Sequence, residues 1–439
     1  MPDTKGSIRN IRTKLSSLNL TAFLALLPGL TIAAPPELPG ASEYRGEIRR
    51  GPDGALGVTS QAATNIGEPR TLQVGKLHRY PTIAAAAKDA RDGDTVEIEA
   101  GDYVGDVAIW AQENLTIRGV GGRAKLIANG QHVERKGIWI VRGGKITVEN
   151  IEFHGAKVEH RNGAGIRFEK GHLILRNCAF FDNENGILTH NDETSELDIE
   201  NSEFGRNGYG DGQSHNIYAG TIKKFRLVGT YSHHANIGQL VKSRAKVNYI
   251  LYNRLSDETG RASYEIDLPS GGISYVIGNI IQQSATTENG HMISFGVEGY
   301  KWEKNELYLI NNTIIDNRPA NGKFFLVKPG PGNIHAVNNI IYGPDEIDPG
   351  ARKNDPKPLN LISARFSNNI KAKLSDFTSP NTYDYTLRRS SPLVGKTSDP
   401  GEANGLKLVP KRQYLHPAKT QALQNFPSDP GAIQPISTN

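Results

Sequence analysis

One cysteine, Cys178, stands in 439 residues, so the chain has no internal disulfide. It sits in LILRNCAFF, where a small buried hydrophobe is the natural reading. No apolar run is long enough to span a membrane stably. LNLTAFLALLPGL is too short and Pro28 breaks it. Preceded by Lys5, Arg9, Arg12 and Lys14 and followed by TIAAPP, it reads as a secretory signal over residues 1–34, cut after Ala33. A retained N-terminal anchor is the alternative. Charge of one sign is also scarce. The formal net charge is +5, the leader holds four basic residues and one acid, and the remainder is near +2. That is too mild to argue nucleic-acid binding. Stable membrane insertion after cleavage is not expected.

What is abundant is glycine, 47 residues, and repetition. SHNIYAG, GQLVKSRA, SYEIDLPSGG and GHMISFG align to put Ile217, Val241, Ile266 and Ile293 in one column, with steps of 24, 25 and 27 residues. Such a period around a short β-branched strand marks a parallel β-solenoid. A solenoid adds coils without thickening its core, so one elongated domain accommodates this length. We read residues 35–75 as a linker or lead-in, 76–345 as the solenoid, and 346–439 as a wrap covering its far end. The Ala run at 84–87 predicts a short helix ending before Gly93, which would cap the first coil.

NLTIRGV, KITVENIEF, LILRNCAFF, LDIENSEF, NYILYNRLS, SYVIGNIIQ, LYLINNTII and IHAVNNIIY share a strand, a small polar residue and an apolar one. Asn150, Asn177, Asn201, Asn253, Asn279, Asn312 and Asn339 fill the polar slot, with Gly229 once. Asn tolerates left-handed backbone angles, so these residues read as sharp corners stacked into an amide ladder.

Successive strand residues point to opposite faces. With the Ile column inward, Tyr218, Lys242, Asp267 and Ser294 form an outer ladder, joined at its start by Arg167 and Leu188. Arg244 belongs to a second outer column with Glu169 and His190. Glu265 falls two before Asp267, in the column of Asn216, Leu240 and Met292. Tyr218, Lys242, Arg244, Glu265 and Asp267 would then crowd one patch, a mixture that no core requires. His215, Tyr264 and His291 share a column that faces the core by parity, unless a bend at the strand edge turns it outward. His234 approaches the Lys242 strand through a loop. The insertions GRNGYGDGQS and EGYKWEKNE would wall a cleft, and Tyr209, Tyr300 and Trp302 could stack on sugar rings.

An acidic sugar chain laid along this face would meet cations, and bidentate Arg suits a uronate carboxylate. In β-elimination a base removes the proton next to that carboxylate and an acid protonates the leaving oxygen. Lys242, desolvated beside Arg244, suits the base and Tyr218 the second proton transfer, with His215 assisting. Arg167, His190, Asn216, His234, Tyr264, Glu265, Asp267 and His291 would contact substrate. The alternatives are a glycoside hydrolase using Glu265 and Asp267, and a solenoid that binds carbohydrate without turnover. Calcium is conceivable, although few acids cluster here for a site needing six or more oxygens.

The stretch YPTIAAAAKDARDGDTVEIEAGDYVGDV resembles the opening of pectate-lyase-like right-handed β-helix proteins, and the likeness extends loosely to the C-terminus. It implies an all-β, single-stranded right-handed parallel β-helix with an N-terminal capping helix, secreted or periplasmic and monomeric. The NTD, GHG and RIK motifs of the superfamily's hydrolases are absent, as are the epimerase DPHD and the paired arginines of pectate lyases. LVKSRAKVNYILYNRL is similar to the part of alginate and chondroitin lyases that carries a catalytic lysine, which maps onto Lys242. Those enzymes place an arginine on the next coil, where this chain has Asp267. They place calcium-binding acids before the lysine, where it has Gln239 and Val241. Arg244 or Tyr218 would take over those roles.

Overall fold

The helix forms where the alanines predict it. In the computed structural model, which describes residues 68–352, 356 and 359–435, it spans Ile83–Asp89. Thr82 caps it by accepting from the Ala85 amide, and the Asp106 carboxylate accepts from the Ile83 and Ala84 amides at 2.6 and 2.9 Å. An anion at a helix N-terminus satisfies otherwise unpaired donors and suits the dipole. Ile83 and Ala86 face the core. The expected signal, and the expected lead-in as far as residue 67, lie outside the described residues.

From Thr95 the chain winds through about 11 turns of parallel strands. One coil is Val241–Ser243, Val247–Leu251 and Arg254–Ser256. Each segment pairs in parallel with its counterpart 25 or 26 residues on, giving three sheets: a site sheet, a second and a third. The register matches the sequence alignment, with Tyr218 opposite Lys242, Lys242 opposite Asp267, and Asp267 opposite Ser294. Arg167 and Leu188 precede Tyr218 in the same column.

The interior is a stack of like residues. Phe153, Phe180 and Phe204 lie face to face with centroids 4.8 and 4.6 Å apart. Cys178 is fully buried, and desolvation pushes its thiol up to about 11. The sheets bury apolar residues on alternate positions, and burial of this kind is the main stabilising term.

The Asn corner is two columns, not one. Asn150, Asn177, Asn201, Gly229, Tyr252, Gly278, Asn311 and Asn338 all take positive φ, between 49° and 67°. Asn253, Asn279, Asn312 and Asn339 come one residue later, point inward and are fully buried. Each Nδ2 donates to the next Oδ1 at 3.0 Å, and Asn339 to Asn369 at 2.7 Å. Ile151, Cys178, Ser202 and Thr230 hold that second slot in earlier coils. Asn suits both neighbouring positions, one for its backbone and one for its amide, which is why sequence spacing merged them.

Residues 396–420 run back along this corner, and 429–432 return to the coils of Asn311 and Asn338. Asn368 Nδ2 donates to the Lys396 carbonyl and Asn338 Nδ2 to that of Ser398. Farther back, the Lys411 amide donates to the Tyr252 hydroxyl at 3.0 Å. Thr420 then approaches Gly229, where an added Cβ would lie 2.7 Å from its methyl.

Candidate functional site

Three side chains of neighbouring coils meet on the outer face of the site sheet. Tyr218 and Arg244 touch through the phenolic oxygen, to which Arg244 Nη1 donates. Lys242 lies between them in sequence register and bonds Asp267 Oδ2 at 3.0 Å. Asp267 is 2% exposed and also accepts from the Ser294 hydroxyl. Three-residue strands, Ile217–Ala219, Val241–Ser243 and Ile266–Leu268, hold these groups, so alternation is guaranteed only across those positions.

Glu298 closes the cluster from the turn that follows His291–Phe295. Its carboxylate takes Arg244 Nε at 2.9 Å and Nη2 at 2.6 and 2.7 Å, and Lys242 Nζ at 3.3 Å. Partial burial alone would raise this carboxyl. The Arg244 hydrogen bonds, with the charges of Lys242 and Arg244, outweigh it and lower it. Trp302 Nε1 donates to the Arg244 carbonyl at 3.1 Å, fixing that strand's exit. EGYKWEKNE therefore does wall the site. Its aromatics are spent on packing, since the Tyr300 hydroxyl bonds the Lys328 carbonyl. Tyr209 stays 44% exposed under the Arg161 guanidinium.

His215 lies beneath Tyr218, their rings stacked 5.6 Å apart at 9°. It is 2% exposed, and desolvation, reinforced by Lys242 and Arg244, holds it neutral well below the ordinary histidine range. Its Nδ1 accepts from the Gln239 amide at 3.2 Å, which leaves the proton on Nε2. Tyr264 is raised by burial, and Asp267 and Lys242 act on it from nearby.

From Tyr218 a polar cleft runs toward earlier coils. A hollow of about 350 Å³ is lined by Arg161, Arg167, His190, Gln213 and Tyr218 among others. It adjoins one of about 610 Å³ reaching Lys136, Arg142 and Lys170. Lys136 and Arg142 are paired with Glu134 and Glu169. Arg167 is different. Its buried Nε has no hydrogen-bond partner, and it makes no ion pair with a described residue. Desolvation lowers it, opposed by Glu169 and Tyr218. GRNGYGDGQS supplies Asp211 and Gln213 to this wall, as its position between coils led us to expect.

The family model described as a right handed beta helix region matches residues 113–229. No curated protein matches the chain. Among solved structures, the pectate lyase Pel9A aligns at 12% identity and TM-score 0.52, over 84% of this chain and 97% of its own. A mutant of the PL6 family alginate lyase AlyGC aligns at 13% identity and TM-score 0.35, over 73% and 43%. The chain is a right-handed parallel β-helix.

The β-helix separates the remaining expected site residues. Glu265 is fully buried with neither carboxylate oxygen bonded, in the column of the core residues Leu240 and Met292. It precedes the three-residue strand, where the chain still bends, so parity with Asp267 fails. The hydrolase pair is thus not assembled. Asn216 is also interior. Its Oδ1 accepts from Asn207 Nδ2 and its own amide donates to the His233 carbonyl. His234 lies at the third sheet against His233, Nδ1 to Nδ1 at 2.8 Å, away from Lys242. His291 lies one coil beyond Tyr264, bonded to Asn289 Oδ1 at 3.2 Å, among Lys323, Arg352 and Asp345.

Calcium does not suit this donor set, because Lys242 and Arg244 already hold both site carboxylates. Among the described residues, the one group with mutually close metal-ligating atoms is His172, Glu196 and Asp198. It lies on the second sheet, where Lys224 pairs with both acids. No helix of the described residues is long and apolar enough to cross a membrane.

Glu298 was the principal group that sequence reading missed. It lies 54 and 56 residues from its partners, and no local pattern announces the contact.

Proposed function

We propose that this β-helix is a polysaccharide lyase that cleaves a uronate-containing polymer by β-elimination. One observation carries the reading. Arg244 bonds Tyr218 and shares Glu298 with Lys242, at one end of a cleft whose middle holds the unpaired Arg167. The likeness to Pel9A supports the fold, and the cleft supports the chemistry.

In this reading the polymer lies along the site sheet, with one carboxylate on Arg167 and the reacting sugar over Tyr218 and Lys242. Tyr218, reacting as its phenolate, takes the proton next to the reacting carboxylate and becomes the phenol. Lys242, ion-paired with Asp267 and Glu298 and therefore the acid and not the base, gives a proton to the bridging oxygen as the carbon–oxygen bond breaks and the double bond forms. Arg244 donates to the same Tyr218 oxygen that loses and regains the proton. His215 supports the tyrosine ring from below.

The test is incubation with a panel of uronate polysaccharides, following unsaturated-product absorbance and reducing ends together. Both signals should rise for the wild type. Lys242→Ala and Tyr218→Phe should each lose about 10²–10⁴-fold in kcat, the usual share of a positioned acid or base. Arg167→Ala should raise KM more than it lowers kcat. Reducing ends without absorbance would make the reaction a hydrolysis. Binding without either product would make the β-helix a docking surface.

A further inference from the structure

The two carboxylates at the site are not equivalent. Asp267 keeps only 3% of its side chain exposed and lies beneath Lys242, bonded to Ser294 as well. Glu298 is 45% exposed and reaches in from solvent. Its turn is pinned at the backbone, where the Glu298 amide donates to the Pro269 carbonyl at 3.0 Å and the Gly299 amide to that of Gly296 at 2.9 Å. Gly296 and Gly299 both take left-handed φ, +70° and +113°, and Gly299 faces open space. The turn is therefore fixed while the side chain is free to rotate about its own bonds.

The guanidinium geometry says what the seat is shaped for. Arg244 turns its Nε–Nη2 edge to Glu298 and keeps Nη1 for Tyr218. An edge-on guanidinium with two parallel donors matches a planar carboxylate. Lys242 completes the seat from the side. With Asp267 and Glu298 in place, two cations face two anions. A uronate entering this patch would add a third anion unless Glu298 leaves.

We infer that Glu298 is a resident stand-in for the substrate carboxylate, and that an entering uronate exchanges with it on Arg244 and Lys242. Glu298 is then a specificity-determining residue. Only a sugar whose carboxylate outcompetes it is drawn into the reacting position, and sulfate esters, which are not planar, are poor substitutes. This rests on the uronate reading of the site, whose failure the test separates from its own.

The test uses Glu298→Ala and Glu298→Gln in the full chain. Acetate and sulfate are titrated at matched ionic strength and thermal stability is read. Polygalacturonate binding is then measured by calorimetry at low salt. Acetate should stabilise Glu298→Ala saturably, sulfate should not, and the wild type should respond to neither. Polygalacturonate should bind Glu298→Ala about tenfold more tightly than wild type, with the gain fading at high salt. Glu298→Gln, which keeps the side-chain length, should fall between. If acetate fails to stabilise Glu298→Ala, or polygalacturonate binds both proteins and the variant no better than wild type, Glu298 is a buttress and the exchange is wrong. An equal response to sulfate overturns the carboxylate preference. If acetate stabilises Glu298→Ala but neither protein binds polygalacturonate or any polymer of the uronate panel, the seat stands and the lyase reading falls.

Discussion

Glu265 shows how far a single residue departs from its pattern. Period-2 alternation puts it outside with Asp267, but the strand is Ile266–Leu268 and its influence stops one residue short. The result is a carboxyl group inside an apolar stack, raised well above its ordinary range by desolvation, with Asp257 and Asp316 adding to the effect. It is buried as the neutral acid with neither oxygen bonded. The coil after it solves the same position with Met292. Glu265→Met should therefore stabilise the chain by about 1–3 kcal/mol, the cost of leaving a buried polar group unsatisfied. Urea unfolding at pH 8 measures this, and a loss of stability would mean that the acid has a partner inside. Lys242, Tyr218 and Arg244 were legible because each lies within its short strand or next to it. His215 was legible only as a choice between core and cleft, and it satisfies both by lying buried under Tyr218.

At the scale of the element, the corner distinguishes two jobs that one residue type performs. Asn312 accepts from both the backbone and the side-chain amide of Asn279, at 2.9 and 3.0 Å. Asn312→Ala removes the one Oδ1 that takes both donors, leaves them unpaired in a buried site, and should cost about 1–3 kcal/mol. Asn201, in the positive-φ column at 49° and only half-buried, serves mainly through its backbone. Asn201→Gly should be nearly neutral, because glycine adopts that angle without strain. Equal costs for the two would refute the separation into columns. The coils themselves were readable because their period recurs and their apolar positions repeat. The cleft walls were readable as insertions, but not their contacts, because loop side chains carry no period to extrapolate.

For the whole molecule, the buried acids set a pH dependence. Burial pushes Asp257 up to about 7 and Asp316 up to about 6, and raises Glu265 well above its ordinary range. A carboxyl raised in the folded state holds a proton that the unfolded chain has released, so stability falls as pH climbs through the folded value. Histidines kept neutral by burial, His215 foremost, act the other way, losing stability as pH falls below about 6.5. Above that value they are silent, Asp316 is largely ionised, and Asp257 and Glu265 remain. Melting temperature should therefore decline from pH 6.5 to 8, and Glu265→Gln should flatten the decline. A melting temperature that is flat or rises over that interval in the wild type would show that these acids ionise without cost.

The segment from Lys396 to Thr420 changes the statistics of such a stack. In a simple solenoid each coil senses only its two neighbours, so an end can fray while the middle persists. Here one covalent thread touches Asn368, Asn338, Tyr252 and Gly229, coils far apart along the axis. Opening any one of them strains a tie shared by the rest. What would be a chain of independent links becomes a laced bundle that melts as a single block, and unlacing it from the tail would restore the coil-by-coil behaviour its repeat was built for.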